Sequence, residues 1–322
     1  MTVSIWVASC FQTININYFT DTKIKMSAVS QFAARILISV CLLVAGQTAH
    51  AGEKITIAAA ADLKFALDEI VVLFNKAHPA DQVETIYGSS GKFQTQIRQG
   101  APFDLYFSAD IAYPRALKTE GFAAEGSPQT PVKGTPPDAH PSVGLGAGGG
   151  APTGVPLAGT ASEVQPYAVG RIVLWSSSRD AGKMTLADLA DPAIRKIAIA
   201  NPKHAPYGKR AEEALRAAGV WEKVEAKLVY GENVAQAAQF VQSGNAQVGI
   251  IALSLALSPE LAKRGGYALI SDKLHQPLEQ GFIVTRRAAA NSLAQVFASF
   301  MAGNEARAIM TRYGFVLPNE SK

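Results

Sequence analysis

Two serines framed by glycines, Tyr87-Gly88-Ser89-Ser90-Gly91, stand where a strand-like alternation over Val83, Thr85 and Tyr87 gives way to helical spacing at Phe93 and Ile97. A turn of this kind exposes the first amide groups of a helix, which have no intrahelical acceptor, and sets a hydroxyl beside them. That is chemistry for holding an anion. The glycines are expected to adopt backbone angles that other residues resist, and Ser89 or Ser90 to cap the helix. Three other stretches repeat the theme. Asp62 follows the apolar run Lys54 to Ala60 and precedes an apolar stripe, Leu63, Ala66, Leu67, Ile70, Val71 and Phe74, where an N-cap belongs. Asn201-Pro202-Lys203-His204-Ala205-Pro206-Tyr207-Gly208 is a proline-pinned turn that presents the Tyr207 hydroxyl at a helix start. Gly231-Glu232-Asn233 leads into Val234 with Asn233 as cap.

Other chemistries fit these residues less well. Asp104 and Asp110 could form a carboxylate pair, but a strand-end turn and a helix cap explain them without a neighbouring histidine. Lys203 and His204 read as solvated loop residues. Ser90 with His204 as base would make a hydrolase, yet Gly-Ser-Ser-Gly lacks the spacing of a nucleophile elbow and no acid partner for His204 stands out.

The elements that carry these turns alternate. Strands are predicted at Lys54 to Ala60, Val83 to Tyr87, Phe103 to Asp110, Tyr167 to Trp175, Lys196 to Ala200, Leu228 to Tyr230, Ala246 to Leu253 and Gln276 to Thr285. Helices fall between most of them, with glycine stops at Gly121 and Gly219, and two more close the chain at Ser292 to Met301 and Asn304 to Arg312. Such alternation predicts an α/β fold with parallel sheets flanked by helices. Strand ends of such sheets gather ligands. The loops at Asp62 and Ser90 belong to the first half and those at Tyr207 and Val234 to the second, so a ligand touching all four lies between two domains.

At 322 residues the length suits about two domains. Residues 26–51 read as a cleavable signal peptide: Arg35, an apolar run from Ile36 to Ala45, then Ala49-His50-Ala51. Residues 1–25 are an extension or a misassigned start. Both cysteines, Cys10 and Cys41, lie upstream of that cleavage point, so the exported form has neither thiol nor disulfide. Residues 1–51 hold three basic residues and one acidic residue, which leaves 27 basic and 25 acidic beyond them. So slight an excess argues against a nucleic-acid binder. Nine glycines, eight prolines and no aromatic fall between Gly126 and Pro166, which predicts a flexible insertion over 126–165.

Taken together, five ordered motifs resemble the periplasmic molybdate-binding proteins of molybdate ABC importers. They are Ala58-Ala59-Ala60-Ala61-Asp62-Leu63, Tyr87-Gly88-Ser89-Ser90-Gly91, Ala101-Pro102-Phe103-Asp104 with Phe107-Ser108-Ala109-Asp110, Asn201 to Gly208, and Arg312-Tyr313-Gly314-Phe315. The resemblance implies a type II periplasmic binding fold, two α/β domains joined by a two-segment hinge, with domain I over 53–125 and 276–322 and domain II over 166–275. It implies a non-enzymatic receptor that binds molybdate or tungstate, needs no cofactor, and delivers the anion to a membrane permease as a monomer. Ligand contacts then fall on Asp62, Ser90, Tyr207 and the Val234 amide, supported by Ala61, Ser89, Gly91 and Asn233, with no separate metal site. Tyr207 takes the role that one branch of the family gives to a tyrosine near Ile251, where this chain has Ala252. Asp62 departs from the family's usual serine or asparagine. Its carboxylate either caps its helix and leaves the amide to the ligand, the arrangement expected here, or is protonated, or contacts the metal centre. A receptor for another tetrahedral oxyanion such as sulfate is the alternative within the same fold.

Overall fold

The computed structural model describes residues 52–125 and 163–318. The predicted extension, the signal peptide and nearly all of the insertion lie outside the described residues. Among the described residues, ten strands form two five-stranded sheets. In chain order the larger elements are β1 (Lys54–Ala60), α1 (Lys64–Ala77), β2 (Gln82–Gly88), α2 (Ser90–Arg98), β3 (Leu105–Ser108), α3 (Ala112–Thr119), β4 (Gln165–Gly170) and β5 (Ile172–Ser176). There follow β6 (Ile197–Ala200), α4 (Pro206–Ala217), α5 (Trp221–Val224), β7 (Leu228–Gly231), α6 (Val234–Gln242), β8 (Val248–Ala252), α7 (Leu253–Ala256), α8 (Pro259–Ala262), β9 (Gly266–Leu269), β10 (Leu278–Val284), α9 (Ser292–Met301) and α10 (Asn304–Arg312).

The first sheet has the order β2-β1-β3-β10-β4 and the second β7-β6-β8-β5-β9. The two orders are equivalent, with β1, β2 and β3 matched by β6, β7 and β8. Within each trio the strands are parallel, whereas β10 runs antiparallel to β3 and β4, and β5 antiparallel to β8 and β9. The sheets are therefore mixed rather than parallel throughout, because the chain enters each from the other sheet and not by a helical crossover. Around the first sheet, Leu67, Ile70 and Phe74 of α1 share one apolar cluster with Phe297 and Met301 of α9 and Met310 of α10. Phe93 and Ile97 of α2 pack with Leu117 of α3 in another. A third cluster encloses the second sheet, with Trp175 at its heart.

The single strand predicted over 167–175 is two strands. β4 joins the first sheet and β5 the second, and the chain passes between them at Gly170 and Arg171. Its β4 part begins at Gln165, inside the tail of the predicted insertion. Hydrophobicity could not reveal the break, since both halves are buried. Gly88 and Gly91 also have a different reason from the one expected: neither has positive φ. A Cβ on Gly88 would lie 2.8 Å from the Phe93 ring, and one on Gly91 would lie 2.7 Å from the His204 carbonyl oxygen. They are glycines for space. The helix stops Gly121 and Gly219 do take positive φ, at 79° and 66°.

Gly208 shows the same demand for space most severely, because a Cβ there would sit 2.1 Å from the Ala200 carbonyl oxygen at the end of β6. Backbone cannot swing aside as a side chain can. Gly208→Ala is expected to lower unfolding stability by roughly 1–3 kcal/mol or more by overpacking, read from a denaturant melt. An unchanged midpoint would mean that α4 is free to shift.

Candidate functional site

All four predicted loops meet. Asp62, Ser90, Tyr207 and Val234, with Ala61, Ser89 and Asn233, line one small cavity of about 10 Å³ between the two sheets. The matching strand orders explain the convergence: the loops after β1 and β2 face those after the equivalent β6 and β7. Helices α2, α4 and α6 start at these loops, so their first-turn amides have no intrahelical acceptors there.

Each side chain has a defined setting. Ser90 is the first residue of α2, and its Oγ accepts the Ala109 amide at 3.0 Å. The bond fixes the oxygen and leaves the hydroxyl proton for another acceptor. Asn233 caps α6 as predicted, its Oδ1 accepting the Gln236 amide at 3.0 Å. That holds the chain at Val234, the first helical residue. Pro206 opens α4, and Tyr207 follows it, buried.

Ser89 occupies the N-cap position of α2 but does not cap it. Its hydroxyl instead donates to the His204 carbonyl at 2.5 Å, to which the Gly91 amide also donates at 3.0 Å. The His204 ring lies beside the same hydroxyl, Nδ1 to Oγ at 2.9 Å. Burial and then the Lys92 charge hold this imidazole below its ordinary pKa. His204 is thus a junction between the two sheets' loops rather than a solvated residue. Lys203 is exposed. Lys92 pairs with Glu232 across the rim, and Arg210 of α4 reaches Asp110 at 3.4 Å.

Asp62 overturns the expectation of a capping carboxylate. The short turn it occupies has no side-chain cap, and Asp62 is 1 % exposed. Its Oδ2 accepts from the Tyr207 hydroxyl at 2.9 Å and from Gln280 Nε2 at 2.8 Å. Oδ1 has no hydrogen-bond partner among the described residues. Burial raises the Asp62 pKa to about 6, against the pull of the bonds from Gln280 and Tyr207 and of the nearby Asp62 and Leu63 amides. The reason for the failed expectation is tertiary: two donors from distant chain segments compete better for the carboxylate than its own helix start does.

Four further participants lie outside the predicted set. Gln280 of β10 donates to both Asp62 and the Tyr207 oxygen. Tyr167 of β4 donates to Gln280 Oε1 at 2.7 Å. Ser254 of α7 donates to the Asp62 carbonyl at 2.7 Å, two residues beyond Ala252. The His204 carbonyl is the fourth. Gln280 carried a usable sign, a polar residue at an inward position of the strand that runs Leu278, Gln280, Phe282, Val284. Ser254 and the carbonyl carried none.

The rival chemistries find no support in this geometry. The His204 ring meets Ser89, not Ser90. Asp104 accepts the Thr56 amide of β1, 48 positions away, and pairs with Arg287, so it is no local turn residue, while Asp110 accepts the Ala112 amide two residues on without occupying the N-cap of α3. Among the described residues no cluster of three or more His, Cys, Asp or Glu could hold a metal ion. What the cavity offers is hydroxyls and amides around a space with one buried carboxyl group in its wall, an arrangement suited to binding a small oxyanion.

Comparison with known proteins agrees with the architecture. Residues 55–316 match the bacterial extracellular solute-binding protein family. The molybdate-binding protein ModA of Rhodobacter capsulatus is 33% identical over 273 residues, covering 83% of this chain and 90% of that protein. ModA of Azotobacter vinelandii is 30% identical over 264 residues, covering 82% and 90%. The solved Azotobacter vinelandii periplasmic molybdate-binding protein superposes with a TM-score of 0.66 at 28% identity, over 82% of this chain and 99% of that one. A sulfate-binding protein, SubI of Mycobacterium tuberculosis, shares the fold at 15% identity with a TM-score of 0.57. The two mixed sheets are those of the type II periplasmic binding fold that the sequence motifs implied.

Proposed function

The chain belongs to the bacterial extracellular solute-binding protein family, and from that membership we propose that it is the periplasmic receptor of a molybdate ABC importer, binding molybdate or tungstate and passing it to the permease. The observation that carries this reading is the convergence of four donor-bearing loops, two from each sheet, on one cavity. Relatives at 30–33% identity that are named for molybdate binding supply the choice of anion. Ser90 contributes its free hydroxyl proton, Val234 its amide, and Tyr207 its hydroxyl. Contacts go to oxygens of the anion, so discrimination rests on cavity size and on donors left unpaired by a wrong ligand.

No step of bond making or breaking belongs to this role, and the protein is not an enzyme in this reading. It acts by closure. Bonds between the loops of the two sheets, from Ser89 and Gly91 to His204, from Lys92 to Glu232, from Arg210 to Asp110 and from Ser254 to Asp62, belong to the closed cleft. An anion contacting both sides adds differential affinity for that state. Export by a cleavable signal over residues 26–51, a domain boundary at the two crossover strands and a monomeric state complete the proposal.

Isothermal titration of the chain from Gly52 onward with molybdate, tungstate and sulfate tests it. Tight one-to-one binding of the first two with no heat from sulfate is expected. Binding of sulfate alone would make this a sulfate receptor, and silence from all three would withdraw the function.

A further inference from the structure

Tyr207 has one hydroxyl proton, and in this structure it is given to Asp62. A tyrosine that is to donate to an oxyanion has to withdraw that proton from the carboxylate. Doing so would strip a buried acceptor of a partner unless another donor holds it, and a buried acceptor left unpaired costs its full desolvation. Gln280 is placed to prevent that. It is 0 % exposed, and its Nε2 lies 2.8 Å from Asp62 Oδ2 and 3.2 Å from the Tyr207 oxygen. A primary amide carries two hydrogens, one for each of these acceptors.

The orientation of the Gln280 amide is also set. Tyr167 donates to Oε1 at 2.7 Å. The reversed amide would aim Oε1 at the Asp62 carboxylate, acceptor against acceptor. The pairing of β10 with β4 shifts register between Gln280 and Gly281, a local irregularity of the sort that re-aims a strand side chain next to a functional site. Nearby, Gly170 leaves the room: a Cβ there would lie 2.3 Å from the Tyr207 hydroxyl and 2.6 Å from Gln280 Nε2. Tyr167 and Gly170 of β4, the irregularity of β10 and the Asp62 carboxylate thus agree on one amide.

We propose that Gln280, pinned by Tyr167, is a positioning residue for oxyanion capture: its two amide hydrogens hold Asp62 Oδ2 and the Tyr207 oxygen together, which releases the single Tyr207 proton to the anion. This rests on the receptor reading above. It adds a residue that touches the binding donors and lies outside every motif that carries the resemblance.

The test is a double-mutant cycle on molybdate affinity by isothermal titration, using Gln280→Met, Tyr207→Phe and the pair, with folding followed by circular dichroism. Gln280→Met keeps volume and removes both donors. A roughly tenfold or larger loss of affinity is expected in the wild-type background, shrinking to less than about threefold when Tyr207 is already phenylalanine. A residue with a merely structural role would weaken binding equally in both backgrounds, and that result overturns the proposal, as would wild-type affinity in Gln280→Met. Should Gln280→Met fail to fold, Tyr167→Phe replaces it in the same cycle. It frees the amide to reverse and is expected to lose several-fold in affinity only while Tyr207 is present; an equal loss in both backgrounds, or none, overturns the proposal. A wild-type protein that binds neither molybdate nor tungstate strikes the receptor reading instead.

Discussion

Asp62→Asn is expected to bind molybdate about a hundredfold more tightly than wild type at pH 8, with the advantage shrinking towards nothing near pH 6. The Asp62 carboxyl group sits in the wall of the cavity with its pKa raised to about 6 by burial. Below that pH it is neutral and Oδ1 can donate; above it, an incoming anion meets a carboxylate and capture must be coupled to taking up a proton. One linked proton weakens binding by about tenfold per pH unit above 6. Asparagine removes the charge and, with its carbonyl oxygen kept on the Tyr207 and Gln280 donors, places its amide nitrogen where Oδ1 stood, so the pH dependence disappears. The other titratable groups nearby do not obscure this. Burial, and after it the Asp62 charge, keeps the Tyr167 and Tyr207 hydroxyls protonated. Lys92 is paired with Glu232, and Arg210 with Asp110 and Glu213. His204 has its pKa lowered and stays neutral over pH 7–9.

The same substitution carries a stability effect of defined sign. Asp62 has a folded pKa of about 6 against an ordinary value of 3.8. The folded state therefore binds the proton more tightly, and the group's contribution is full below pH 3.8 and is lost as pH rises through 6. The difference is about 3 kcal/mol at 1.36 kcal/mol per unit. Ligand-free Asp62→Asn is expected to melt several degrees above wild type at pH 8 and at nearly the same temperature at pH 4. Titrations from pH 6 to 9 and paired melts check both halves. A wild-type affinity that stays flat over this range would place the carboxylate beyond the reach of the ligand.

Ser90→Ala is expected to weaken molybdate binding by about 10–150-fold, the loss of one hydrogen bond of roughly 1.5–3 kcal/mol to a charged acceptor. Ser90 Oγ already accepts the Ala109 amide, so its own proton is unspent and the oxygen is fixed in place. The variant also leaves the buried Ala109 amide without that acceptor, a further destabilisation of about 1–3 kcal/mol in the protein itself. Affinity and melting temperature should therefore fall together. Ser89→Ala is the contrast: its proton is given to the His204 carbonyl, so the loss should be smaller and reflect weaker closure. Equal losses at Ser89 and Ser90 would show that neither hydroxyl meets the anion.

Much of this site was legible before folding. Ser90, Tyr207 and Val234 were identified because each follows a strand and begins a helix, a purely local pattern of glycine, proline, capping residue and apolar stripe. The structure brings all three to one cavity with Asp62. The helices at Ser292–Met301 and Asn304–Arg312 match their predicted ends for the same reason. Edge strand β9 went unseen although Tyr267-Ala268-Leu269-Ile270 is apolar, because the run is only four residues long and its Tyr267 and Leu269 face outward at the surface, so no apolar-polar alternation marks it.

The amino-acid sequence by itself determined which segments become helix starts, since caps, prolines and hydrophobic period act over a few residues. It also placed hydroxyl-bearing and capping residues, Ser89, Ser90, Tyr207 and Asn233, at those starts. Only the tertiary structure decided what each donor meets. Asp62 turns from its own helix to Tyr207, 145 positions away, and to Gln280, 218 away, and the sheet order alone brings them together. Hydrogen-bond competition at a buried carboxylate is settled by whichever donors the fold delivers, and no local pattern records their arrival.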